Sequence, residues 1–415
     1  MSEERSMERN RRSSRVQARL SRSGPSTSER SLRYDAFARA MVGTPLHLVG
    51  GREDQATCAE SSLTTAETSI TSVRGRISAL LRQESATPAP RDVVLLGIDG
   101  LAHDFAAECW PDVCRIDRLR SVFPTTTSAG FLSALTGLDV PRHRVPGVVF
   151  AGPEGSRELI NVFEYQGEHL TPAKETVFTD ACGLGYRPLA VQGDMEAYGG
   201  SWRNALLRGA EPVIGHRFYS PDAGPYSERD PDLLADLVGD ALVRTLALPG
   251  ARPRLVWCYV ELDRHIHHFG YDRHAARFLT KIEALARRLA DTGTVVLAHA
   301  DHGLTPTRPD PDLAELLDTL ARKHGFRMGG AGRTRWLYSP PGVTEAVAAE
   351  LAAKLPESVR LAGAEDLFAE SVRDRVGELL LIAEGDTFLA DPEYRYEHGS
   401  LTAAELDTPF AAWGA

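Results

Sequence analysis

The chain is sparing with cysteine: among 415 residues only Cys58, Cys109, Cys114, Cys182 and Cys258 occur, odd in number and widely scattered. Cys109 and Cys114 are not spaced as a CxxC pair, and no second cluster completes a thiolate metal site, so no disulfide framework or Cys-based zinc module is encoded. Reduced thiols of a cytosolic protein are the expected state. A run of about 20 apolar residues is also missing, which argues against a membrane span. Positive charge is in deficit, with Lys+Arg 47 against Asp+Glu 57 and a formal net charge of -10. That balance argues against a nucleic-acid polymer as partner. It leaves room for a small phosphorylated substrate, because a bound metal sets the local sign of the field. The first 33 residues hold nine arginines and many serines but no apolar core of the ~7–15 residues that an export signal needs. A cytoplasmic location and a disordered arm follow as expectations.

What is present reads as an α/β protein. Residues 1–33 form the Arg/Ser-rich arm. Residues 34–90 are an extension with short helices over Arg33–Val42 and Ser72–Arg82, ending in the linker "ATPAPR" (86–91). The rest, 91–415, is the catalytic domain. It opens with "DVVLLGIDG", an apolar run that stops at Asp99-Gly100 and has the look of a buried parallel strand. The same grammar recurs in "RLVWCYVELD", which runs into Asp263, and in "TVVLAHADHG", which runs into Asp301-His302. Between them "DPDLLADLVGDALVRTL" (230–246) and "HAARFLTKIEALARRLA" (274–290) carry helical spacing and caps. Strands alternating with helices predict a mostly parallel sheet covered on both faces.

In such sheets ligands gather beyond the carboxyl ends of the strands. Asp99, Asp263 and Asp301 are therefore expected at one edge, joined by the nearby His265, His267, His268 and His302 and by the distant His398. Aspartates and histidines without cysteine suit divalent cations that accept carboxylate and imidazole, zinc foremost, with manganese or iron as alternatives. Such a set is too large for one catalytic ion and fits two. "FPTTTSAGFLSALTGL" (123–138) then supplies three threonines at the start of a helix whose Phe131, Leu132, Leu135 and Leu138 share a face. One threonine serves as an N-cap. A hydroxyl at that positive helix end is also well placed to act on a phosphate.

Together "GIDG", "FPTTTSAGFLSALTGL", "DRHIHHFG", "ADHG" and "EHGSLTAAEL" occur in an order that resembles the type I phosphodiesterase/nucleotide pyrophosphatase branch of the alkaline phosphatase superfamily. The resemblance implies an alkaline-phosphatase-like fold, a mostly parallel central sheet sandwiched by helices, with a smaller insert within 304–390. It implies Thr127 as nucleophile, one zinc held by Asp99, Thr127, Asp301 and His302, and another held by Asp263, His267 and His398. His265 and His268 fall off the motif and are assigned supporting or surface positions. The implied activity is hydrolysis of phosphodiester or phosphoanhydride bonds of a small, nucleotide-type substrate through a phosphothreonine intermediate. A phosphomonoesterase of the same superfamily is the alternative, and a non-catalytic metal-binding protein the minor one. The pattern departs at Gly130, where the family's asparagine stands, and at Ser128-Ala129 in place of Phe-Pro. Nucleotide-base preference therefore does not carry over.

Overall fold

The computed structural model describes residues 68–219 and 230–415, apart from 112, 114, 154, 155 and 157. The arginine-rich arm, the expected Arg33–Val42 helix, Cys58 and Cys114 lie outside the described residues. Seven strands make the main sheet: β1 (Val93–Asp99), β2 (Arg115–Arg120), β3 (Arg187–Val191), β4 (Glu211–Val213), β5 (Arg254–Glu261), β6 (Val295–Ala300) and β7 (Asp407–Trp413). Their order is β2-β7-β6-β1-β5-β3-β4. The block β6-β1-β5-β3-β4 is parallel throughout, and β7 runs antiparallel to both its neighbours.

Alternation along the central strands builds two cores. Val93 and Leu95 of β1, with Leu255, Trp257 and Tyr259 of β5, face one side of the sheet. Val94, Leu96 and Ile98, with Val256, Cys258 and Val260, face the other. Both faces are apolar because helices cover both, which is why these strands read as continuous Val/Leu/Ile runs. The first face packs against α1 (Ser72–Ser85), through Val73, Ile77 and Leu81, and against α2 (Thr127–Thr136). The second packs against α3 (Pro231–Leu246) and α5 (Arg273–Asp291), which flank the short α4 (Asp263–Phe269). Helix α5 presents Phe278, Leu279, Ile282, Leu285, Ala286 and Leu289 at three- and four-residue steps. Asp230 and Asp272 cap α3 and α5 by accepting backbone N–H bonds. All five tryptophans are buried, and truncating any of them to alanine costs about 3–5 kcal/mol by the usual scale for core aromatics.

Helix α2 is shorter than the run read in its sequence. All ten of its residues are buried, and it ends at Thr136, so Leu138 lies beyond the helix. A helix closed in on every side has no solvent face to keep polar. Gly137, at φ 69°, makes the stop.

A second, six-stranded antiparallel sheet runs in the order Val359–Gly363, Leu379–Ala383, Thr334–Tyr338, Arg327–Ala331, Val149–Ala151, Leu159–Asn161. Four of its strands come from within 304–390. Cys109, Cys182 and Cys258 are free thiols, and burial pushes the Cys258 thiol up to about 12. Among the described residues no helix is long and apolar enough to cross a membrane.

Candidate metal centre

Strand register brings the carboxylates together. Ile98 of β1 lies beside Ala300 of β6, so Asp99 and Asp301 emerge level at the carboxyl edge. Strand β5, on the other side of β1, ends level with Asp99 at Glu261, and Asp263 begins α4 two residues later. Gly100 makes the close approach possible. Its φ is +74°, and a Cβ there would lie 2.7 Å from the Asp263 Cα, so a side chain would push β1 and α4 apart. His267 follows Asp263 by one helical turn and points the same way. Thr127 is the first residue of α2, directly after Thr126 at the cap position.

Two groups of donors result. In the first, the Thr127 Oγ1 lies 3.4 Å from Asp99 Oδ1 and 3.3 Å from His302 Nε2. His302 Nε2 is 3.2 Å from Asp301 Oδ2 and 3.6 Å from Asp99 Oδ1. In the second, Asp263 Oδ2 is 3.0 Å from His267 Nε2, and Asp263 Oδ1 is 3.9 Å from His398 Nε2. The groups adjoin: the His302 and His398 rings stack at 3.9 Å. Donor atoms of Asp99, Asp301 and His302 all lie within 4.8 Å of one another, as do those of Asp263, His302 and His398, and those of His267, Glu397 and His398. All seven residues expected at the site therefore meet in one place.

Each imidazole is oriented from behind. His267 Nδ1 faces the Tyr396 carbonyl at 2.8 Å, His398 Nδ1 the Thr125 carbonyl at 2.6 Å, and His302 Nδ1 the Gly303 carbonyl at 3.2 Å. A carbonyl only accepts, so each Nδ1 carries a proton and each Nε2 points inward, the orientation typical of metal-binding histidines. Asp99 Oδ2 likewise accepts a 2.6 Å hydrogen bond from the Tyr259 hydroxyl. Asp263 Oδ1 and Asp301 Oδ2 are buried and take no hydrogen bond. Unpartnered buried carboxylate oxygens are costly unless a cation meets them.

The electrostatics agree. Burial, then the nearby Asp301 and Asp263, push the Asp99 carboxyl well above the usual carboxylate range. Burial and Asp263 push Asp301 up to about 8. Burial opposes ionisation of Asp263 too, but His267 and His398 override it and hold that carboxyl low. His267 answers in kind: burial disfavours its charge, yet Asp263 and Glu397 push it up to about 9. Burial and His398 push His302 well below the ordinary histidine value. Three crowded carboxylates and three inward-pointing imidazoles form a donor set that divalent cations would suit, displacing the proton between His267 and Asp263. The residues fit the metal ions that the sequence implies.

The three threonines divide the work. Thr127 faces the donors. Thr126 takes the cap position, yet its side chain makes no capping bond and instead lies 3.3 Å from Ser128 Oγ. Thr125 pins the His398 turn from both sides: its Oγ1 accepts from Gly399 N at 2.8 Å and donates to Ser400 O at 3.1 Å. Gly130 is a packing requirement, because a Cβ there would sit 2.7 Å from Asp301 O and 2.8 Å from Asp301 Cβ. An asparagine has no room at this position.

His265 and His268 stay out of the donor groups. His265 is buried and bonds Asp272 at 3.0 Å, bracing the cap of α5, and His268 packs against Tyr394. Residues that the motifs did not reveal include Tyr259, Glu397 and Glu405. Glu405 Oε1 holds Ser400 N at 2.8 Å, its carbonyl holds Gly303 N at 2.9 Å, and Arg333 pairs with it at 3.3 Å. One residue thus ties the His398 and His302 loops together. Glu397 was legible only as the neighbour of His398, and Tyr259 only as an inward aromatic of a buried strand.

No curated protein matches the chain in sequence closely enough to count as a relative. The fold is shared with solved structures. Murine ectonucleotide pyrophosphatase/phosphodiesterase 5 aligns with a TM-score of 0.59 at 13% identity, over 78% of this chain and 88% of that one. An inactive threonine-to-alanine variant of the same murine protein, in complex with AMP, aligns at 0.57 and 12%, over 78% and 87%. Phosphonoacetate hydrolase from Sinorhizobium meliloti 1021, in complex with phosphonoacetate, aligns at 0.59 and 19%, over 78% and 89%. Residues 93–400 match the family model for type I phosphodiesterase / nucleotide pyrophosphatase, three quarters of the sequence and the whole of the span that carries the site. The chain belongs to that family of hydrolytic enzymes, within the alkaline phosphatase superfamily.

Proposed function

We propose that the chain hydrolyses a phosphodiester or phosphoanhydride bond of a small phosphorylated molecule, with Thr127 as the nucleophile that becomes transiently phosphorylated. The observation that carries the reading is the Thr127 hydroxyl, poised 3.3–3.4 Å from both His302 and Asp99 at the first turn of a buried helix. Asp99, Thr127, Asp301 and His302 would hold one divalent ion, and Asp263, His267 and His398 a second, with zinc the best match to the donors. Bound there, the ions supply positive charge that stabilises the charge developing on the phosphoryl oxygens and lowers the pKa of the hydroxyl.

The chain's own residues do the rest. Thr127 loses its proton to solvent and its Oγ1 attacks phosphorus in line, so that the bond to the leaving oxygen breaks as the new P–O bond forms and that oxygen takes up a proton from water. Thr127 sits at the positive end of the α2 dipole, which favours the anionic oxygen. Water then cleaves the phosphothreonine, returning the hydroxyl and releasing the phosphorylated product. Tyr259, Thr125 and Glu405 keep Asp99, His398 and His302 in place during both steps. The murine neighbour's inactive threonine-to-alanine variant, still in complex with AMP, agrees with a threonine that reacts without being needed to bind.

Thr127→Ala tests the reading. Turnover of bis-p-nitrophenyl phosphate should fall on the order of 10⁴–10⁶-fold, the scale seen when an enzymic nucleophile is deleted. Metal content should persist. Retained turnover rules out Thr127 as nucleophile, and faster wild-type turnover of p-nitrophenyl phosphate than of the diester favours the monoesterase alternative.

A further inference from the structure

Arg264 follows Asp263 on the first turn of α4 and has no part in holding the donors. Its Nε donates to Glu261 Oε1 at 2.9 Å, and Glu261 is buried at the carboxyl end of β5, so the guanidinium is aimed by a fixed carboxylate. Its two Nη groups have no hydrogen-bond partner among the described residues, and the side chain is 42% exposed. Besides Glu261, its neighbours include the phenols of Tyr198 and Tyr394. Tyr394 stacks on His267 at 4.2 Å, within the second donor group. Tyr198 neighbours Tyr259 and Asp99, within the first. Arg264 therefore stands beside Asp263 at the carboxyl edge of the sheet, held to the end of β5, with N–H donors turned to solvent. The other acid nearby is Asp194, whose carboxyl burial and Glu261 push up to about 7, which weakens its competition for the guanidinium.

A guanidinium steered through one nitrogen and free at two others is built to take a planar anion by a two-point bond. No chemistry of the reacting phosphoryl group calls on it, and Asp263, the neighbour in sequence, belongs to the group opposite Thr127. We propose that Arg264 is a specificity-determining residue that binds a second anionic group, a carboxylate or a phosphate, carried on the leaving portion of the substrate. The inference rests on the hydrolase reading of the same site and narrows its substrate class: the preferred molecule carries two anionic groups, one attacked by Thr127 and one held by Arg264.

The experiment is a calorimetric titration of the zinc-loaded protein with three probes. Phosphonoacetate offers a carboxylate arm, methylenediphosphonate a phosphonate arm, and methylphosphonate no second arm. The wild type should bind one of the two-armed probes more tightly than methylphosphonate. In Arg264→Gln that ratio should shrink about 10- to 100-fold, the range for losing a charge-assisted hydrogen bond. Arg264→Lys, which keeps the charge without the fork, should recover part of the ratio. Which two-armed probe loses more identifies the arm as carboxylate or phosphate. Equal weakening of all three probes, or an unchanged ratio in Arg264→Gln, overturns the proposal. Wild-type hydrolysis of bis-p-nitrophenyl phosphate reports separately on the hydrolase reading, so the two failures are distinguishable.

Discussion

Replacing Tyr259 by phenylalanine removes one oxygen atom and isolates its contribution to cation binding. The Tyr259 hydroxyl donates to Asp99 Oδ2 at 2.6 Å, and both residues are fully enclosed. The ring keeps its edge contact with Phe131, 5.8 Å between centroids, so the packing survives the change. Burial, helped by the charge of Asp99, pushes the Tyr259 hydroxyl well up, so it stays a donor. Asp99 must be anionic to bind a cation, yet burial, Asp301 and Asp263 all favour its neutral form, and the tyrosine hydrogen bond opposes them. A hydrogen bond to a charged group contributes about 1.5–3 kcal/mol, and its loss falls mainly on the ionised, cation-bound state. Supporting bonds of this kind typically change metal affinity by about 10- to 100-fold. Chelator-competition titration of zinc should therefore show one of two binding steps weakened by that factor in Tyr259→Phe. The metal-free protein should melt within ~1 °C of the wild type, less than the ~1.5 °C that a 1 kcal/mol destabilisation produces in a domain of this size. Affinities within two-fold of the wild type, or a metal-free protein destabilised as much as the loaded one, would refute the reasoning.

Gly130→Ala puts a Cβ against Asp301 backbone, which cannot swing away, so overpacking of about 1–3 kcal/mol is expected in thermal or urea unfolding, together with weakened zinc binding at the Asp99/Asp301/His302 group. An alanine variant with wild-type stability and affinity would mean that α2 shifts freely. Acid should destabilise the fold through its enclosed histidines. Burial pushes His143 down to about 3 and His216 to about 4, so both stay neutral in the fold while the unfolded chain takes up protons from about pH 6.5 downward. Their stabilising contribution is complete above about pH 6.5 and is lost as the pH falls toward 4. His143→Asn, which keeps an acceptor for Val145 N, should flatten the dependence of the urea midpoint over that window relative to the wild type, and an unchanged slope counts against a neutral His143. Asp194 works the other way. Pushed up to about 7, it favours the fold at low pH and ceases to as the pH rises through 7, so Asp194→Asn should steepen the acid loss.

Much of the molecule was legible because its signals are local. Each central strand is an uninterrupted apolar run that stops at an acidic residue, and α3 and α5 announce themselves by period and cap. The seven expected site residues came by another route: residue chemistry pointed to the aspartates and histidines as a group, and the family resemblance of the motifs picked out the individual positions that the structure brings together. What escaped is held by contacts between distant segments. Nothing in "YEHGSLTAAEL" says that Glu405 reaches both the His398 and His302 loops, and nothing in "PTTT" says that the first threonine serves a histidine some 270 residues away. Helix α2 starts where its sequence suggests and differs at its far end, where Gly137 stops it before Leu138.

Asp99 and His398 are about 300 residues apart in the chain, and Glu405, which fastens the His398 turn, comes just before β7. During synthesis Thr127 and Asp99 leave the ribosome long before their distant partners exist. An ion bound early would meet an incomplete cage, so the full donor set closes only when His398 arrives, just ahead of the last strand of the sheet. On the proposed mechanism, such late closure would keep the Thr127 hydroxyl idle until the polypeptide around it is ready to choose what it meets.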